Sequence, residues 1–503
     1  MVPASAKCIS GPWLQFKTVS NGYPLRRVKS HFMGTFSTLL HLFIFISITL
    51  RALSRPDLNS TTRIAWIFVL FTLPVFGVIL YFLFGDIRFR GPLGDGHRAA
   101  VKATAGLIAA SGEKPDLEKH GPASAFATSI NGFGMTSGNH GELLDSPHAQ
   151  RERMIADFGA ARDSINVLYY IWLDDATGRN VAAALIRAAG RGVKVRAIVD
   201  EIGSRAFLKS QTWKDLIAAG VETSVALPLH NPLATMFTRR FDLRNHRKIT
   251  VIDGRILHCG SQNCADPEFS PKPKYAPWVD IMLRIEGPVA RQMNLLFAQN
   301  WFEDKPLELE PWNYEVKPLD GGFQAQAVGT GPTMNKGMTA QLLSRILGEA
   351  RREIVISTPY FTPGDVVADA IMGAAFAGAD VTLIVPARND SGFVGPASRA
   401  YYPQLIAAGV KIAEYNGGLL HAKTLTVDGE LTFIGSTNLD FRSFDLNFEN
   451  DVLLRDRDLT QKIRDRQMEY LAASTLVDPA EVRAWSVWKR IRLNAFTTIG
   501  PVI

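Results

Sequence analysis

The chain carries one unusual sequence pattern twice. Residues 246–253 read His-Arg-Lys-Ile-Thr-Val-Ile-Asp, and residues 421–428 read His-Ala-Lys-Thr-Leu-Thr-Val-Asp. A Gly-Ser-x-Asn cluster follows each copy, at residues 260–263 and 435–438, and its asparagine lies 17 residues after the histidine both times. A single His-x-Lys is more often a solvated strand face than a site. Two copies with matched flanks instead indicate two similar halves that build one composite site for a phosphate group.

Each copy also predicts a β-hairpin. Aliphatic and β-branched residues follow the lysine, and an Asp-Gly pair, a strong signal for a two-residue turn, ends the run at 253–254 and at 428–429. Because side chains two residues apart on a strand point to the same face, the histidine and lysine of each copy should lie side by side. The returning strand then brings the serine and the asparagine back beside them.

The residue types of the motif suit phosphodiester chemistry. Such a reaction needs a nucleophile, an acid for the leaving oxygen and positive charge around the phosphate oxygens. Histidine can take the first two roles near neutral pH, lysine supplies the charge, and serine and asparagine supply neutral donors. The candidate catalytic groups are His246, Lys248, His421 and Lys423, and the candidate phosphate-binding groups are Ser261, Asn263, Ser436 and Asn438.

Four carboxylates complete the candidate site. A catalytic histidine needs a carboxylate on its other ring nitrogen to fix its tautomer. Asp280 and Glu449 follow the first and second histidine by 34 and 28 residues, and this parallel placement favours the orienting role. Asp253 and Asp428 belong to the repeated motif and are counted with its catalytic groups, but their positions at the two turns favour a structural role.

No cofactor and no metal are predicted. The three cysteines, Cys8, Cys259 and Cys264, form no disulfide framework, and no spaced set of cysteines and histidines suggests zinc. The lysines of the motif supply the positive charge that a metal ion would otherwise provide.

The motifs together resemble those of the phospholipase D superfamily. Longer stretches at residues 244–248, 262–266, 358–361 and 436–450 narrow the likeness to bacterial cardiolipin synthases. The resemblance implies an α/β fold of two pseudo-equivalent phospholipase D-like α/β/α lobes with one shared active site, preceded by an N-terminal transmembrane helical hairpin. It also implies a covalent phosphohistidine intermediate.

The resemblance implies a membrane phosphatidyltransferase that makes cardiolipin from two phosphatidylglycerol molecules and releases glycerol. In the family the first-copy histidine is the nucleophile, so His246 would attack phosphorus, and His421 would protonate the leaving alcohol and deprotonate the incoming one. Two alternatives stay open: a phospholipase D-type hydrolase of phospholipid or nucleic acid, and a non-enzymatic lipid-binding protein. Phosphatidylethanolamine stays open as the second substrate, because the catalytic residues do not select it or exclude it.

A second level of repetition supports the two halves. Residues 186–195 match residues 372–381, and each copy has an apolar strand, a helix that ends at a glycine and a second apolar strand, which predicts a βαβ unit. The offset between the copies is 186 residues here and 175 at the histidines, so the first half has 11 extra residues before its hairpin. They include a loop at residues 228–232 that we expect to shape the mouth of the site.

Two uncharged apolar runs, at residues 33–50 and 64–84, lie near the N-terminus. A membrane-spanning helix needs about 20 apolar residues, so both qualify, the first narrowly. The first run starts late and has no small-residue cleavage site, which favours a membrane hairpin over a signal peptide. The loop between the runs has fewer cations than the flanks, which predicts a multi-pass protein of the bacterial inner membrane with a cytoplasmic catalytic body.

These observations divide the chain into four parts. They are a membrane hairpin at residues 1–90, a linker rich in glycine and alanine at 91–125, a first lobe at 126–310 and a second lobe at 311–503.

The net charge of +7 favours a negatively charged partner. We expect phosphatidylglycerol and an anionic phospholipid bilayer, and no nucleic acid, because no interleaved aromatic and basic nucleic-acid signature is present. Near the C-terminus, Trp485, Trp488, Ile491 and Phe496 alternate with arginines and a lysine. This pattern fits either a basic amphipathic helix on a membrane surface or a terminal helix packed on the body. The sequence leaves the oligomeric state open.

Overall fold

The computed structural model describes residues 25–55, 58, 60–85, 89–229, 239–333 and 337–499, without the side chains of residues 25–37, 74 and 499. The chain divides into two units, Met1–Ile79 and Leu80–Ile503. The described part of the first unit is helical, and the second unit is an α/β body that carries both copies of the repeated motif.

Apolar helices form the described part of the first unit. They are α1 (Leu25–Leu53), α2 (Ser60–Thr72) and the start of α3 (Pro74–Phe84). The run at 64–84, predicted as one span, is interrupted where Pro74, which has no backbone N–H, opens α3. Within the described residues, no helix combines the length and the apolar character that crossing a membrane requires. The transmembrane hairpin therefore stays a prediction.

A correction concerns residues 91–125, which the composition predicts to be a linker. They form α4 (Gly91–Ala109) and the first part of α5 (Leu117–Asn131), and Ala100, Thr104 and Ala123 on these helices are fully buried. The small residues allow close packing rather than flexibility, because a Cβ atom at Gly96 would collide with the carbonyl oxygen of Glu303. The prediction of a linker is wrong for this segment.

The strands of the body fall into two series. The first lobe contributes β1 (Thr136–Leu144), β2 (Ser164–Tyr169), β3 (Lys194–Asp200), β4 (Glu222–Ala226), β5 (Arg244–Asn245), β6 (Lys248–Ile252), β7 (Ile256–Gly260), β8 (Trp278–Val279) and β9 (Met282–Glu286). The second lobe contributes β10 (Phe323–Thr330), β11 (Glu353–Ser357), β12 (Phe361–Thr362), β13 (Asp380–Pro386), β14 (Lys411–Tyr415), β15 (Leu419–Leu420), β16 (Thr424–Val427), β17 (Leu431–Gly435), β18 (Leu439–Asp440), β19 (Asn447–Arg455) and β20 (Ser474–Leu476).

The main sheet shows the repeat directly. Its spatial order is β20-β14-β13-β11-β16-β17-β19-β10-β1-β9-β7-β6-β2-β3-β4, and β5 pairs with β19 beside this path. The order β4-β3-β2-β6-β7-β9-β1 in the first lobe matches β14-β13-β11-β16-β17-β19-β10 in the second. The antiparallel pairing of β1 with β10 joins the two lobes into one sheet. The predicted pseudo-equivalence of the two halves is therefore confirmed as topology.

Helices cover the sheet. They are α6 (Pro147–Ala160), α7 (Ala176–Gly190), α8 (Gln211–Ala218), α9 (Pro288–Trp301), α10 (Met338–Leu347), α11 (Gly364–Phe376), α12 (Val394–Ala400), α13 (Tyr402–Ala407), α14 (Phe441–Asp445), α15 (Arg457–Ala472), α16 (Pro479–Arg483) and α17 (Val487–Ile499), with short 3₁₀ turns at Phe207–Lys209, Pro273–Tyr275 and Glu310–Trp312. The helix α9 is buried along nearly its whole length, and its buried polar residues find partners there, as Gln292 does with the backbone of Gly134 and Ala327.

The local predictions for the two repeats are confirmed. The strands β2 and β3 are parallel and joined by α7, and β11 and β13 are parallel and joined by α11. Antiparallel hairpins form from β6 and β7 and from β16 and β17. Both turns have positive φ angles at the Asp-Gly pair, 48° and 65° at residues 253–254 and 55° and 70° at residues 428–429, as a type I′ turn requires.

Candidate active site

Two short strand pairings between the lobes position the histidines. The strand β5, which ends directly before His246, pairs in parallel with β19 of the second lobe. The strand β15, which ends directly before His421, pairs in parallel with β8 of the first lobe. The backbone N–H groups of the two histidines continue these pairings, donating to Phe448 O at 2.9 Å and to Val279 O at 2.8 Å. Each histidine therefore directly follows a short strand that is paired with a strand of the opposite lobe.

The orienting carboxylates also cross between the lobes. His246 Nδ1 donates to Glu449 Oε2 at 2.8 Å, and His421 Nδ1 donates to Asp280 Oδ1 at 2.5 Å. His246, His421 and Glu449 are buried, and the side chain of Asp280 is 8% exposed. The sequence predicts the two carboxylates as orienting groups, but their order along the chain gives no sign that each serves the histidine of the other lobe.

Burial makes both imidazoles neutral near pH 7. It lowers the pKa of His246 and of His421 to about 4, although the carboxylates act in the opposite direction. Burial alone would raise the pKa of Asp280, but its contacts with His421 and Lys423 outweigh burial and lower the pKa to about 2. The pKa of Glu449 is lowered in the same way. Because each Nδ1 proton is held by a carboxylate, each Nε2 is an unprotonated nitrogen able to act as nucleophile or base.

The two motif serines donate hydrogen bonds to the carboxylates that orient the histidines. Ser261 Oγ donates to Asp280 Oδ1 at 2.6 Å, and Ser436 Oγ donates to Glu449 Oε2. Both serines are fully buried. The sequence predicts them as phosphate-binding groups, and the structure instead places their hydroxyls on the carboxylates, because a buried carboxylate needs more than one donor.

The two motif lysines are buried beside the histidines. Lys248 Nζ donates to the carbonyl oxygen of His246 at 2.6 Å, and Lys423 Nζ donates to that of His421 at 2.7 Å. Burial lowers the pKa of Lys248 to about 8 and that of Lys423 to about 7. The charge of Lys423 also lowers the pKa of His246, and Lys248 does the same to His421. The two motif copies therefore act on each other electrostatically, as groups of one site do.

The two asparagines are buried next to the hairpins. Asn263 Oδ1 accepts the backbone N–H of Ile171 at 3.2 Å, and Asn438 Nδ2 donates to Ser443 Oγ at 3.3 Å. Among the described residues, Asn438 Oδ1 has no hydrogen-bond partner although it is buried. A buried polar atom without a partner is costly, so this amide is a group that a substrate can satisfy.

The two turn aspartates lie outside this cluster of contacts. The carboxylate of Asp253 accepts the backbone N–H groups of residues 162–164, and that of Asp428 accepts those of residues 351–353. They fix the hairpin turn to the start of the neighbouring strand. The contacts of Asp253 and Asp428 therefore support the structural role that their turn positions favour. They do not support the prediction that counts these two residues among the catalytic groups.

Aromatic residues of the site were not predicted. The rings of Tyr170 and His246 are 4.9 Å apart, and those of Trp278 and His421 are 4.5 Å apart. Tyr360 donates its hydroxyl to Asp390 at 2.7 Å. Tyr170 and Tyr360 follow the C-terminal ends of β2 and β11, where α/β sheets commonly place ligand contacts. That position in the sequence is the signal that could have identified them.

Within the described parts of the chain, no group of three or more His, Cys, Asp or Glu residues is arranged to hold a metal ion. Residues 230–238, which include most of the loop predicted to shape the site mouth, lie outside the described residues.

The fold and the site together define a phospholipase D-like protein: two equivalent lobes, two His-x-Lys hairpins and histidine–carboxylate pairs shared between the lobes. The comparisons with known proteins narrow this class. A family model described as cardiolipin synthase, PLD-like domain, matches residues 154–301 and 343–470, and one described as phospholipase D-nuclease N-terminal matches residues 39–85. The chain belongs to the cardiolipin synthase family.

Similar proteins support this placement over 94% of the chain. Cardiolipin synthase A of Edwardsiella ictaluri is 33% identical over 489 residues, covering 94% of this chain and all of that relative. Cardiolipin synthase A of Klebsiella pneumoniae is 34% identical over 498 residues with the same coverage. The crystal structure of phosphatidylserine synthase from Haemophilus influenzae has the same fold, with a TM-score of 0.53, 14% identity, and coverage of 72% of this chain and 95% of that one.

Proposed function

We propose that this enzyme transfers a phosphatidyl group from one phosphatidylglycerol molecule to a second, forming cardiolipin and releasing glycerol. The observation that carries the proposal is the pair of buried, neutral histidines, each locked by a carboxylate of the opposite lobe. Two such groups at one phosphate supply a nucleophile and a separate acid–base group, which is what transfer by double displacement needs. The full-length similarity to cardiolipin synthases supports phospholipid as the substrate.

In the first step, Nε2 of His246 attacks phosphorus, and the bond from phosphorus to the glycerol oxygen breaks. His421 gives a proton to that oxygen, so glycerol leaves and a phosphohistidine remains. Because the pKa of His421 is about 4 in the empty site, it needs help to carry this proton. The negative phosphodiester raises the pKa of a nearby imidazole, so substrate binding itself favours the acid form. The lysines stabilise the charge on the phosphate oxygens.

In the second step, the hydroxyl group of another phosphatidylglycerol replaces the departed glycerol. His421, now neutral, accepts the hydroxyl proton, the oxygen attacks phosphorus, and the bond to His246 breaks. If water takes the place of the alcohol, the product is phosphatidic acid and the enzyme acts as a hydrolase. Transfer therefore depends on exclusion of water from the site, which the aromatic rings beside both histidines favour.

The products separate these outcomes. Purified full-length protein is incubated with vesicles containing phosphatidylglycerol labelled in both its acyl chains and its glycerol headgroup. We expect labelled cardiolipin and free glycerol in equal amounts. Phosphatidic acid as the main product would favour the hydrolase, and no change in the lipid would contradict enzymatic action on phosphatidylglycerol. Addition of phosphatidylethanolamine then tests whether it serves as the second substrate.

We further propose that the apolar runs at residues 33–50 and 64–84 attach the enzyme to the bacterial inner membrane as a hairpin, with the catalytic body in the cytoplasm. The uncharged sequence of both runs and the family match at residues 39–85 support this arrangement. Single cysteines introduced in the 51–63 connection and in the body should react differently with a membrane-impermeant reagent on intact spheroplasts. Labelling of the connection alone is the expected result, and labelling of the body alone would contradict it.

A further inference from the structure

The C-terminal helix α17 has one face on the catalytic body. Leu493 is 3% exposed, and the ring of Phe496 lies 5.5 Å from that of Phe393, beside α12. Lys489 Nζ lies 4.0 Å from the centre of the buried Trp485 ring. These contacts confirm the reading in which a terminal helix packs on the body, but they use only one side of the helix.

The opposite side of α17 is apolar and exposed. Val487, Trp488 and Ile491 have exposed fractions of 67%, 80% and 52%, which is high for side chains of this size. With 3.6 residues per turn, these three residues and Ala495 fall within about 100° of the helix circumference. The apolar stripe therefore lies on the side of the helix away from Leu493.

Basic side chains border the stripe. On the helical wheel Arg490 and Arg492 lie at its two edges, and the helix contains no acidic residue. Arg490 also donates to the carbonyl oxygen of Arg483 at 2.9 Å, so Arg492 is the arginine of this helix whose side chain makes no such bond to the described part of the body. An apolar stripe with Trp at its centre and Arg at its margins matches the interface of an anionic bilayer, where Trp rings prefer the headgroup level and Arg side chains reach the phosphates. A surface of a soluble partner would not require this pairing of indole and guanidinium groups around one stripe.

We propose that this face of α17, formed by Val487, Trp488, Ile491 and Ala495, inserts into the headgroup region of an anionic phospholipid bilayer. The inference rests on the proposed function in that the substrate is part of such a bilayer. It is a second membrane contact, within the catalytic body, besides the one proposed for residues 33–84. The helix packs on α12, α12 packs on β12, and β12 pairs with β18, which begins directly after Asn438. Docking of α17 would therefore hold at the lipid surface a helix that is connected by packing to the strand after Asn438.

A fluorescent probe on the stripe tests the insertion in the full-length protein. In a Cys8→Ser background, Trp488→Cys carries an environment-sensitive fluorophore; Cys259 and Cys264 are buried and should not react. Arg457→Cys is the matched control, because the Arg457 side chain is also 80% exposed. We expect a blue shift at position 488 with phosphatidylglycerol vesicles, a smaller shift with phosphatidylcholine vesicles, and none at position 457 in either.

Three results would overturn the inference. They are no shift at position 488, an equal shift at both positions, or a shift at 488 on adding unlabelled protein without lipid, which would make the stripe a contact between two copies of the chain. The result also separates this inference from the proposed function. A shift at position 488 in a protein that makes no cardiolipin would support bilayer insertion of α17 and contradict the proposed function. Normal cardiolipin synthesis without a shift would contradict the insertion and leave the proposed function intact.

Turnover gives an independent measurement. The double variant Trp488→Ser/Ile491→Ser should lower the rate on dilute phosphatidylglycerol vesicles at least about fivefold, since two large apolar side chains no longer enter the lipid. High lipid concentration should restore the rate, and turnover in detergent-mixed micelles should not change. Phe376→Ser, which removes another highly exposed ring, is the control and should behave as wild type. An equal loss in vesicles and micelles would show a structural role instead.

Discussion

The two motif copies place the same residue types around one site but are held in it differently. Between His246 and Lys248 lies Arg247, a buried cation whose Nε donates to the carbonyl oxygen of Glu449 and whose terminal nitrogen donates to that of Thr330. The equivalent residue of the second copy is Ala422, also buried, whose methyl group can make neither bond. The first copy is thus fastened to the strands of the opposite lobe by a side chain for which the second copy has no equivalent.

The lysines of the two copies are alike in electrostatics. Burial lowers the pKa of both, to about 7 for Lys423 and about 8 for Lys248, and the carboxylates of the site act in the opposite direction. Both motif cations can therefore lose their protons at mildly alkaline pH. The duplicated motif keeps one chemistry in both halves, and the clearest difference between the copies is the anchoring of the first by Arg247.

The largest effect should separate the two histidines. His246→Ala should lower turnover by at least about 10³-fold and form no covalent phosphatidyl-enzyme, because the nucleophile is gone. His421→Asn should lose turnover to a similar extent but still accumulate label on His246, since only release lacks its base. Acid quenching with labelled phosphatidylglycerol measures both. Label on the other histidine would exchange the roles, and label on neither in folded protein would favour direct displacement.

The carboxylates should follow the crossed pairing. Glu449→Gln and Asp280→Asn should each lower kcat by about 100-fold, because an amide no longer fixes the imidazole tautomer. Through His246, the Glu449 variant should slow formation of the covalent intermediate; through His421, the Asp280 variant should slow its release. Single-turnover labelling measures the two rates. Glu430→Gln, which changes a half-exposed carboxylate paired with Arg457, is the control. If the two variants show the reverse pattern, the crossed assignment of roles is wrong.

The lysines should set the alkaline side of the pH profile. They carry the phosphate-binding charge below pKa values of about 7 and 8 and lose it as the pH rises through them, so kcat/KM in mixed micelles should fall above about pH 7. Lys423→Arg keeps its charge at high pH and should move this fall upward by about one pH unit. A profile with the same alkaline limb in both proteins would show that another group controls it.

Arg247 should matter more for stability than for chemistry. Arg247→Ala leaves two buried carbonyl oxygens without their donor and should cost about 3 kcal/mol, seen as a lower midpoint of thermal unfolding. Ala422→Gly, at the equivalent position, is the matched control and should cost only about 1 kcal/mol, since it removes one methyl group and no hydrogen bond. A fall in kcat of more than about tenfold without loss of stability would instead give the guanidinium group a role near the substrate.

The smallest effect should come from the turn aspartates. Asp253→Asn and Asp428→Asn each weaken charged acceptors for backbone N–H groups that are partly exposed, so the loss of stability should be about 1 kcal/mol or less. Turnover of folded protein should stay within about twofold of wild type, because neither group contacts the site. A large fall in kcat with unchanged stability would return these residues to the catalytic set.

Local patterns explain what the sequence predicts correctly. The hairpins and the βαβ units depend on strand residues, a turn and a helix within a few tens of residues, so each leaves a periodic signal. The crossing of Glu449 to His246 depends on the pairing of β5 with β19, about 200 residues apart in the chain, and no spacing within one copy reports it. Position along the chain can therefore show that a carboxylate is available, but not which histidine it serves.

Ambiguous composition accounts for the errors. Serine after a glycine predicts a donor, but the sequence does not show that the acceptor is a buried carboxylate of the same site. The glycines and alanines of residues 91–125 fit a flexible linker and a tightly packed helix equally well. Only the contacts of α4 and α5 with the body decide between them, because packing against distant residues overrides local preference.

The crossed pairs also constrain how this protein can change over evolutionary time. A lobe on its own would carry an imidazole without its carboxylate and a carboxylate without its imidazole, so a single lobe cannot assemble either pair. A substitution at residue 280 or 449 acts first on the histidine of the opposite lobe. The exchange of partners at the β5–β19 and β8–β15 pairings therefore ties sequence change in one half to the other half.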